Sequence, residues 1–163
     1  MKDKVLKKLA KKKLKVSLFE SASAGYLACK ISQSPYSGLV LDGSLVCYDL
    51  SVKRQILNIP ETLIKKYTAE SEEVTIELIR QGQKLFDSDI YIACTGLLKR
   101  GGSETKEKPV GTFFFAIQVQ GKIYSYRTRF KGKPQQKLKL LYCAVMKRLN
   151  QILKQHAPKL KIQ

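Results

Sequence analysis

Apolar positions switch period several times along the chain. At the start they fall at Val5, Leu6, Leu9 and Leu14, close to the helical repeat, so the lysine-rich opening is predicted to be a helix. "KVSLF" then reads as a short strand ending at Glu20, and "SAGYLACKIS" returns to a helical phase through Ala24, Leu27, Ala28 and Ile31. "QSPYSG" is a turn on account of Pro35 and Gly38. "LVLDGSLVCYD" is strand-like and contains Gly43; "SVKRQIL" and "PETLIKKY" are helical, with Pro60 at the first turn of the second. Ser71, followed by Glu72 and Glu73, opens a longer predicted helix over 71–86, phased by Val74, Leu78, Gln81 and Leu85 together with Ile76 and Ile79.

"SDIYIACTG" is a strand ending at Thr95–Gly96, and a polar loop, "LLKRGGSETKEKP", follows it. "VGTFFFAIQVQ" and "KIYSYRTRF" flank Gln120–Gly121 as an antiparallel hairpin. The last helix is expected from about Pro134 to Lys154, with Leu138, Leu141, Val145, Leu149 and Ile152 as its buried stripe. Helices that alternate with strands early, before a late hairpin, predict a single-domain α/β fold. Its form is a three-layer α/β/α sandwich around a mixed sheet. The boundaries expected are a basic N-terminal helix over 1–15, the domain over 16–155 and a basic tail over 156–163.

Composition narrows the function. The chain is 44% hydrophobic, which favours a packed core over disorder. No apolar run reaches the ~20 residues of a membrane span, and no apolar segment follows the first lysines as a secretory signal requires. A cytoplasmic protein without membrane attachment is expected. Cys29, Cys47, Cys94 and Cys143 are scattered, which suits neither a zinc site nor a disulfide framework; Cys47 and Cys94 read as buried thiols. With His156 the one histidine, a His-based triad or His-rich metal site is excluded, and neither metal nor cofactor is expected.

The formal net charge is +18, and it is concentrated at the ends. The first 15 residues hold eight lysines against one acid, and nine basic residues with no acid lie from Lys131 onward. Lysine far outnumbers arginine, the better reader of base edges. The charge is read as solvated surface, with weak nonspecific nucleic-acid binding the lesser possibility.

Candidate chemistry centres on "ESASAG". Ser21 lies where a strand hands over to a helix, beside helix N-terminal N–H groups suited to an oxyanion. It is either a nucleophile or simply a helix N-cap. Without a usable histidine its base must be a lysine, tyrosine or carboxylate. "CYDLSVK" supplies Tyr48 at a strand end and Lys53 five residues later; a Ser–Lys pair is a known variant of the Ser–His arrangement. Outside such a pair, the two would be a surface tyrosine and a solvated lysine.

These pieces together resemble the CinA C-terminal domain family of nicotinamide mononucleotide deamidases, from about Val16 to Leu153. "ESASAG" is similar to its E-S-x-T-G-G, and "GSLVCYDLSVKRQILNIP" to its G-G-x-x-x-Y-x-x-x-x-K-x-x-x-L-x-V. "CTG" and "EKPVGT" match V-T-G and E-K-P-V-G-T. The resemblance implies hydrolysis of the mononucleotide's carboxamide by Ser21, with Tyr48 and Lys53 handling protons. It implies a substrate-binding set of Glu20, Ser23 and Gly25 in the turn and Thr95 and Gly96 at the strand end; Lys99 and Arg100, in the loop that follows, are candidates to supply positive charge to a substrate. Glu20 would support the turn or orient a partner. A homo-oligomer is implied as well, and the aromatic hairpin "TFFFAIQV" offers surface for one, while alternating core burial explains Phe113 and Phe115 equally well.

The chain departs from the family's pattern at several positions. Ser23 stands for threonine and Ala24 for glycine. Leu98, Lys99 and Arg100 replace the Ala, Gly and Pro of T-G-x-A-G-P-x-G; Lys133 and Pro134 replace the Asp and Arg of F-x-G-D-R. Three functions stay open: a carboxamide hydrolase, a degenerate member that binds without turnover, and a basic nucleic-acid-associated factor.

Overall fold

The computed structural model describes residues 2–156. Apart from His156, the basic tail of 156–163 lies outside the described residues. The elements run α1 (Lys2–Lys11), β1 (Val16–Glu20), α2 (Tyr26–Ser32), α3 (Ser37–Val40), β2 (Leu41–Val46), α4 (Leu50–Gln55), α5 (Glu61–Tyr67), α6 (Glu72–Gly82), β3 (Ile90–Gly96), β4 (Thr112–Val119), β5 (Lys122–Arg129) and α7 (Pro134–Gln155).

The five strands form one mixed sheet in the order β2-β1-β3-β4-β5. β2, β1 and β3 are parallel, and β4 and β5 are antiparallel additions. Side chains leave each strand to alternate faces, and the core divides accordingly. Leu18, Ile92, Cys94 and Phe115 face α1, α2, α3 and α7. Phe19, Tyr91, Ala93 and Ala116 face the segment containing α4, α5 and α6. The architecture is the expected three-layer sandwich. No helix among the described residues is long and apolar enough to cross a membrane.

Val5, Leu6 and Leu9 of α1 are buried in the first core cluster, so the opening lysines ride on a helix packed into the domain. The hairpin turns through Gln120 (φ 50°) and Gly121 (φ 75°). Two left-handed residues there match the twist of the flanking strands. Phe113, Phe114 and Phe115 are all buried within the chain, so these three rings of the hairpin supply core.

Several local expectations need correcting. The helix expected over 71–86 ends at Gly82, because the next turn folds back to insert Phe86 beside Phe19 (5.9 Å between ring centroids) and over Gly43. Leu85, assigned to that helix's apolar phase, is exposed. The segment read as a turn near Pro35 contains the short α3. In α7, Leu138 is only half-buried while Lys137 is buried. The α7 helix is slightly out of phase with the expected stripe, and Lys137 Nζ donates to the Leu98 carbonyl (2.8 Å).

The parallel strands end together: Glu20 lies level with Val46 on one side and Cys94 on the other. The chain leaves β1 towards one layer and β2 towards the other. Such a switch in direction opens a crevice at the strand ends, where ligands gather in α/β sheets.

Gly82 shows how tightly β1 is packed from below. A Cβ there would lie 2.2 Å from the Phe19 ring, which is fully buried and flanked by Phe86 and Tyr91. Gly82→Ala should therefore cost about 1–3 kcal/mol through overpacking. In urea this would appear as a lower unfolding midpoint with an unchanged slope; an unchanged midpoint would mean that the ring can yield.

Candidate active site

The turn after β1 is clamped from both sides. Ser21 N–H donates to the Cys94 carbonyl (3.0 Å), and Cys47 N–H donates to the Glu20 carbonyl (2.9 Å). The chain then bends through Ala24 (φ 47°) and Gly25 (φ 89°) before α2 begins at Tyr26. The N-cap is Gly25, which supplies no side-chain cap. Ser21 is thus not the N-cap, since the helix starts four residues too late for it.

Glu20 takes over the capping. Its wholly buried carboxylate accepts from Leu27 N–H (2.9 Å) and Ala28 N–H (2.8 Å) in the first turn of α2, and from the hydroxyls of Ser23 (2.7 Å) and Ser44 (3.3 Å). An acid at this end also suits the helix dipole. Of the two roles expected for Glu20, this geometry gives it support of the turn. Ser23 is buried as well, between Glu20 and the Cys94 thiol (2.9 Å). Ser21 Oγ, by contrast, makes no hydrogen bond among the described residues and is 7% exposed.

Ser21 lines a cavity of about 200 Å³ together with Ala22, Tyr48, Glu70, Gly96 and the loop over 97–102. Lys99 and Arg100 stand exposed on its wall. Leu98 turns partly into the core. Gly96 allows the sheet to close here, since a Cβ would meet the Phe113 ring at 2.4 Å and the Thr112 carbonyl at 2.9 Å. Thr95 does not reach the cavity: it is fully buried, with Oγ1 bonded to Thr75 Oγ1 (2.8 Å). Gly25 serves the backbone bend.

Lys53 is not the solvated lysine its sequence context suggests. It is 1% exposed, on a helix capped by Asp49, and Nζ donates to the carbonyls of Cys47 (2.5 Å) and Tyr48 (3.1 Å). Burial lowers its pKa, partly opposed by nearby Cys47, Glu70 and Asp49. It lines a neighbouring cavity of about 350 Å³, and Tyr48, Glu70 and Gly102 belong to both. The structure thus brings Ser21 and Tyr48 into one cavity, and Tyr48 and Lys53 into the next. No hydrogen bond joins the Ser21, Tyr48 and Lys53 side chains among the described residues, and Tyr48 is 56% exposed.

The thiols nearby do not compete as nucleophiles. Burial pushes Cys47 up to about 11 and Cys94 up to about 12, so neither is a thiolate at neutral pH.

Sequence reasoning passed over Lys108 and Glu70. Lys108 Nζ donates to Thr68 Oγ1 (2.6 Å), Ser103 Oγ (2.7 Å) and the Glu70 carbonyl (2.9 Å), and Ser103 donates to the Glu70 carboxylate (2.5 Å). This knot ties the 97–110 loop to the end of α5. Burial lowers Lys108's pKa too. Its signal was present in "EKPVGT", quoted for resemblance and given no role.

Comparison with known proteins shows the family and the fold. The family model of the CinA C-terminal domain matches residues 1–153, first helix included. A CinA-like protein of Pseudothermotoga lettingae is 36% identical over 118 residues, covering 72% of this chain and 29% of that protein. A CinA-like protein of Dictyoglomus thermophilum is 31% identical over 124 residues, covering 76% of this chain and 30% of that one. The chain therefore spans under a third of the length of these curated relatives. A competence-damaged protein (CinA) superfamily structure from Klebsiella pneumoniae matches with a TM-score of 0.88 at 25% identity, covering 94% of this chain and 96% of its own.

Ala24 carries a side chain in a left-handed conformation (φ 47°) and is exposed, so it has no packing to lose. That conformation costs an L-residue roughly 1–2 kcal/mol, and glycine's extra freedom when unfolded offsets part of the relief. Ala24→Gly should stabilise the domain by about 0.5–1 kcal/mol on this balance. Thermal unfolding checks it, and a lower Tm would mean that the turn is not strained.

Proposed function

The chain belongs to the CinA C-terminal domain family, and from that premise we propose that it is a serine amidohydrolase that releases ammonia from the carboxamide of nicotinamide mononucleotide. One observation carries the reading: Ser21 Oγ is free of hydrogen bonds and lines a cavity at the ends of parallel strands. A serine used only for structure would have its hydroxyl bonded, as Ser23 and Ser71 do.

In this mechanism Ser21 Oγ attacks the carboxamide carbon and gives up its proton. The oxyanion forms beside Ala22, whose N–H has no acceptor among the described residues and which lines the same cavity. Donors set beforehand at that position stabilise the tetrahedral charge. Collapse expels ammonia, which leaves with a proton from the base. Water then cleaves the acyl-serine to give nicotinic acid mononucleotide.

Lys53 suits the base by its environment. As a neutral amine it has two N–H bonds, matching the two carbonyls of Cys47 and Tyr48. Its lone pair is left to take the proton. Tyr48, which lines both cavities, is the relay between Lys53 and Ser21.

A second reading, ligand binding without turnover, is favoured by the missing hydrogen bond between Ser21 Oγ and either partner. Ammonia release from nicotinamide mononucleotide separates the two. Under the amidohydrolase reading, Ser21→Ala loses more than ~10³-fold in rate while its Tm stays close to the parent's, since the hydroxyl bonds nothing. Equal rates in variant and parent would rule out the covalent mechanism.

The pH profile gives an independent check. The base works only when neutral, so the rate falls as pH drops through the pKa of Lys53. Burial lowers that pKa, so the rising limb should lie below the ordinary lysine value of about 10.4. Lys53→Arg, whose guanidinium stays protonated, should be inactive across the range. Retention of the same limb in that variant would remove Lys53 from the mechanism.

A further inference from the structure

The Ser21 cavity, at about 200 Å³, is smaller than the roughly 300–1,000 Å³ of small-molecule sites. A mononucleotide with its carboxamide at Ser21 must therefore extend beyond it, and two cavities flank the cleft. One is the 350 Å³ cavity of Lys53. There the Glu70 carboxylate is part of the wall, and the lysine's own bonds go to two carbonyls. A phosphate on that side would face an acid and a cation already engaged.

The other cavity, of about 360 Å³, also has an acid in its wall but adds two arginines. It shares Arg100 with the Ser21 cleft and is lined on its far side by Arg129, at the end of β5. Neither guanidinium makes a hydrogen bond or close ion pair among the described residues, although the Arg100 charge helps to lower the pKa of the Glu104 carboxyl. Arg127, two residues earlier, is by contrast engaged with the Glu107 carbonyl and lies over the Phe114 ring. The acid in this cavity is Glu104, whose carboxylate accepts from Gly101 N–H (3.0 Å) and Gly102 N–H (2.8 Å). Thr105 Oγ1 accepts from Lys108 N–H (3.0 Å), which leaves its hydroxyl hydrogen to donate. Two guanidinium forks with no hydrogen bonds of their own and a hydroxyl are donors suited to a phosphate dianion.

We infer that the substrate's phosphate lies in the cavity between Arg100 and Arg129, which makes Arg129 a binding residue and lays the nucleotide from Ser21 towards β5, away from Lys53. The inference rests on the amidohydrolase reading for the end that reaches Ser21. The anion site itself stands on the two arginines.

Calorimetry tests it on the Ser21→Ala protein, where turnover does not interfere. Nicotinamide mononucleotide and its phosphate-free riboside are the probes, with and without Arg129→Gln. Hydrogen bonds to charged groups are worth about 10- to 100-fold in binding. Arg129→Gln should weaken the mononucleotide by about that factor and leave the riboside unchanged. Arg100→Gln, an independent exposed substitution, should do the same. Raising salt should weaken mononucleotide binding in the unsubstituted site more than in the Gln variants.

Three results would overturn the proposal: no mononucleotide binding to the Ser21→Ala protein, mononucleotide affinity unchanged by Arg129→Gln, or equal losses for nucleotide and riboside. The readout is binding, so the two readings fail separately. Absence of ammonia release with the arginine effect intact would discard the amidohydrolase and keep the anion site. Ammonia release without the arginine effect would do the reverse.

Discussion

The carboxylate of Glu20, buried at the end of β1, holds the candidate site together. Burying a charge is expensive unless hydrogen bonds replace its water. Here the donors are two N–H groups of α2 and the hydroxyls of Ser23 and Ser44. Those bonds fix α2, the Ser21 turn and β2 relative to one another. They also explain why Ser21 is free: with α2 capped by Glu20, the serine has no structural task.

The same device recurs around the strand ends. Thr95 is bonded to Thr75 beneath the cavity; Lys53 fastens the end of β2, Lys108 fastens the loop to the end of α5, and Lys137 holds the Leu98 carbonyl. Each bonds a backbone carbonyl or a hydroxyl, groups that would otherwise be left unsatisfied. The loop that carries Lys99 and Arg100 is therefore anchored from beneath while its cations face solvent. The ion pairs found among the described residues, Arg54–Glu61 and Arg80–Glu77, each have at least one solvent-exposed partner, so they add little stability.

Much of the fold was legible in the sequence because it depends on local pattern. The apolar run "TFFFAIQV", the Gln120–Gly121 turn and the Ser71 cap are short-range signals, and each stands where expected. The family resemblance was legible in short motifs kept in order. What escaped depends on contacts between distant segments. The burial of Lys53 follows from carbonyls at the end of β2, and the early end of α6 from Phe86 seeking Phe19. The late start of α2 follows from a carboxylate serving as cap from outside the helix. Thr95 and Ser23 looked like cleft residues because they flank the right motifs, yet Thr95 is bonded to Thr75 and Ser23 to the Glu20 carboxylate.

The proposed mechanism requires Ser21 to become covalently acylated. The direct measurement is mass spectrometry on protein quenched in acid during turnover of nicotinamide mononucleotide, followed by digestion and peptide mapping. An acyl adduct is expected on the peptide that contains Ser21, localised to that serine and absent from the Ser21→Ala protein. Ammonia release with the Ser21 peptide unmodified and an adduct on another side chain would contradict it.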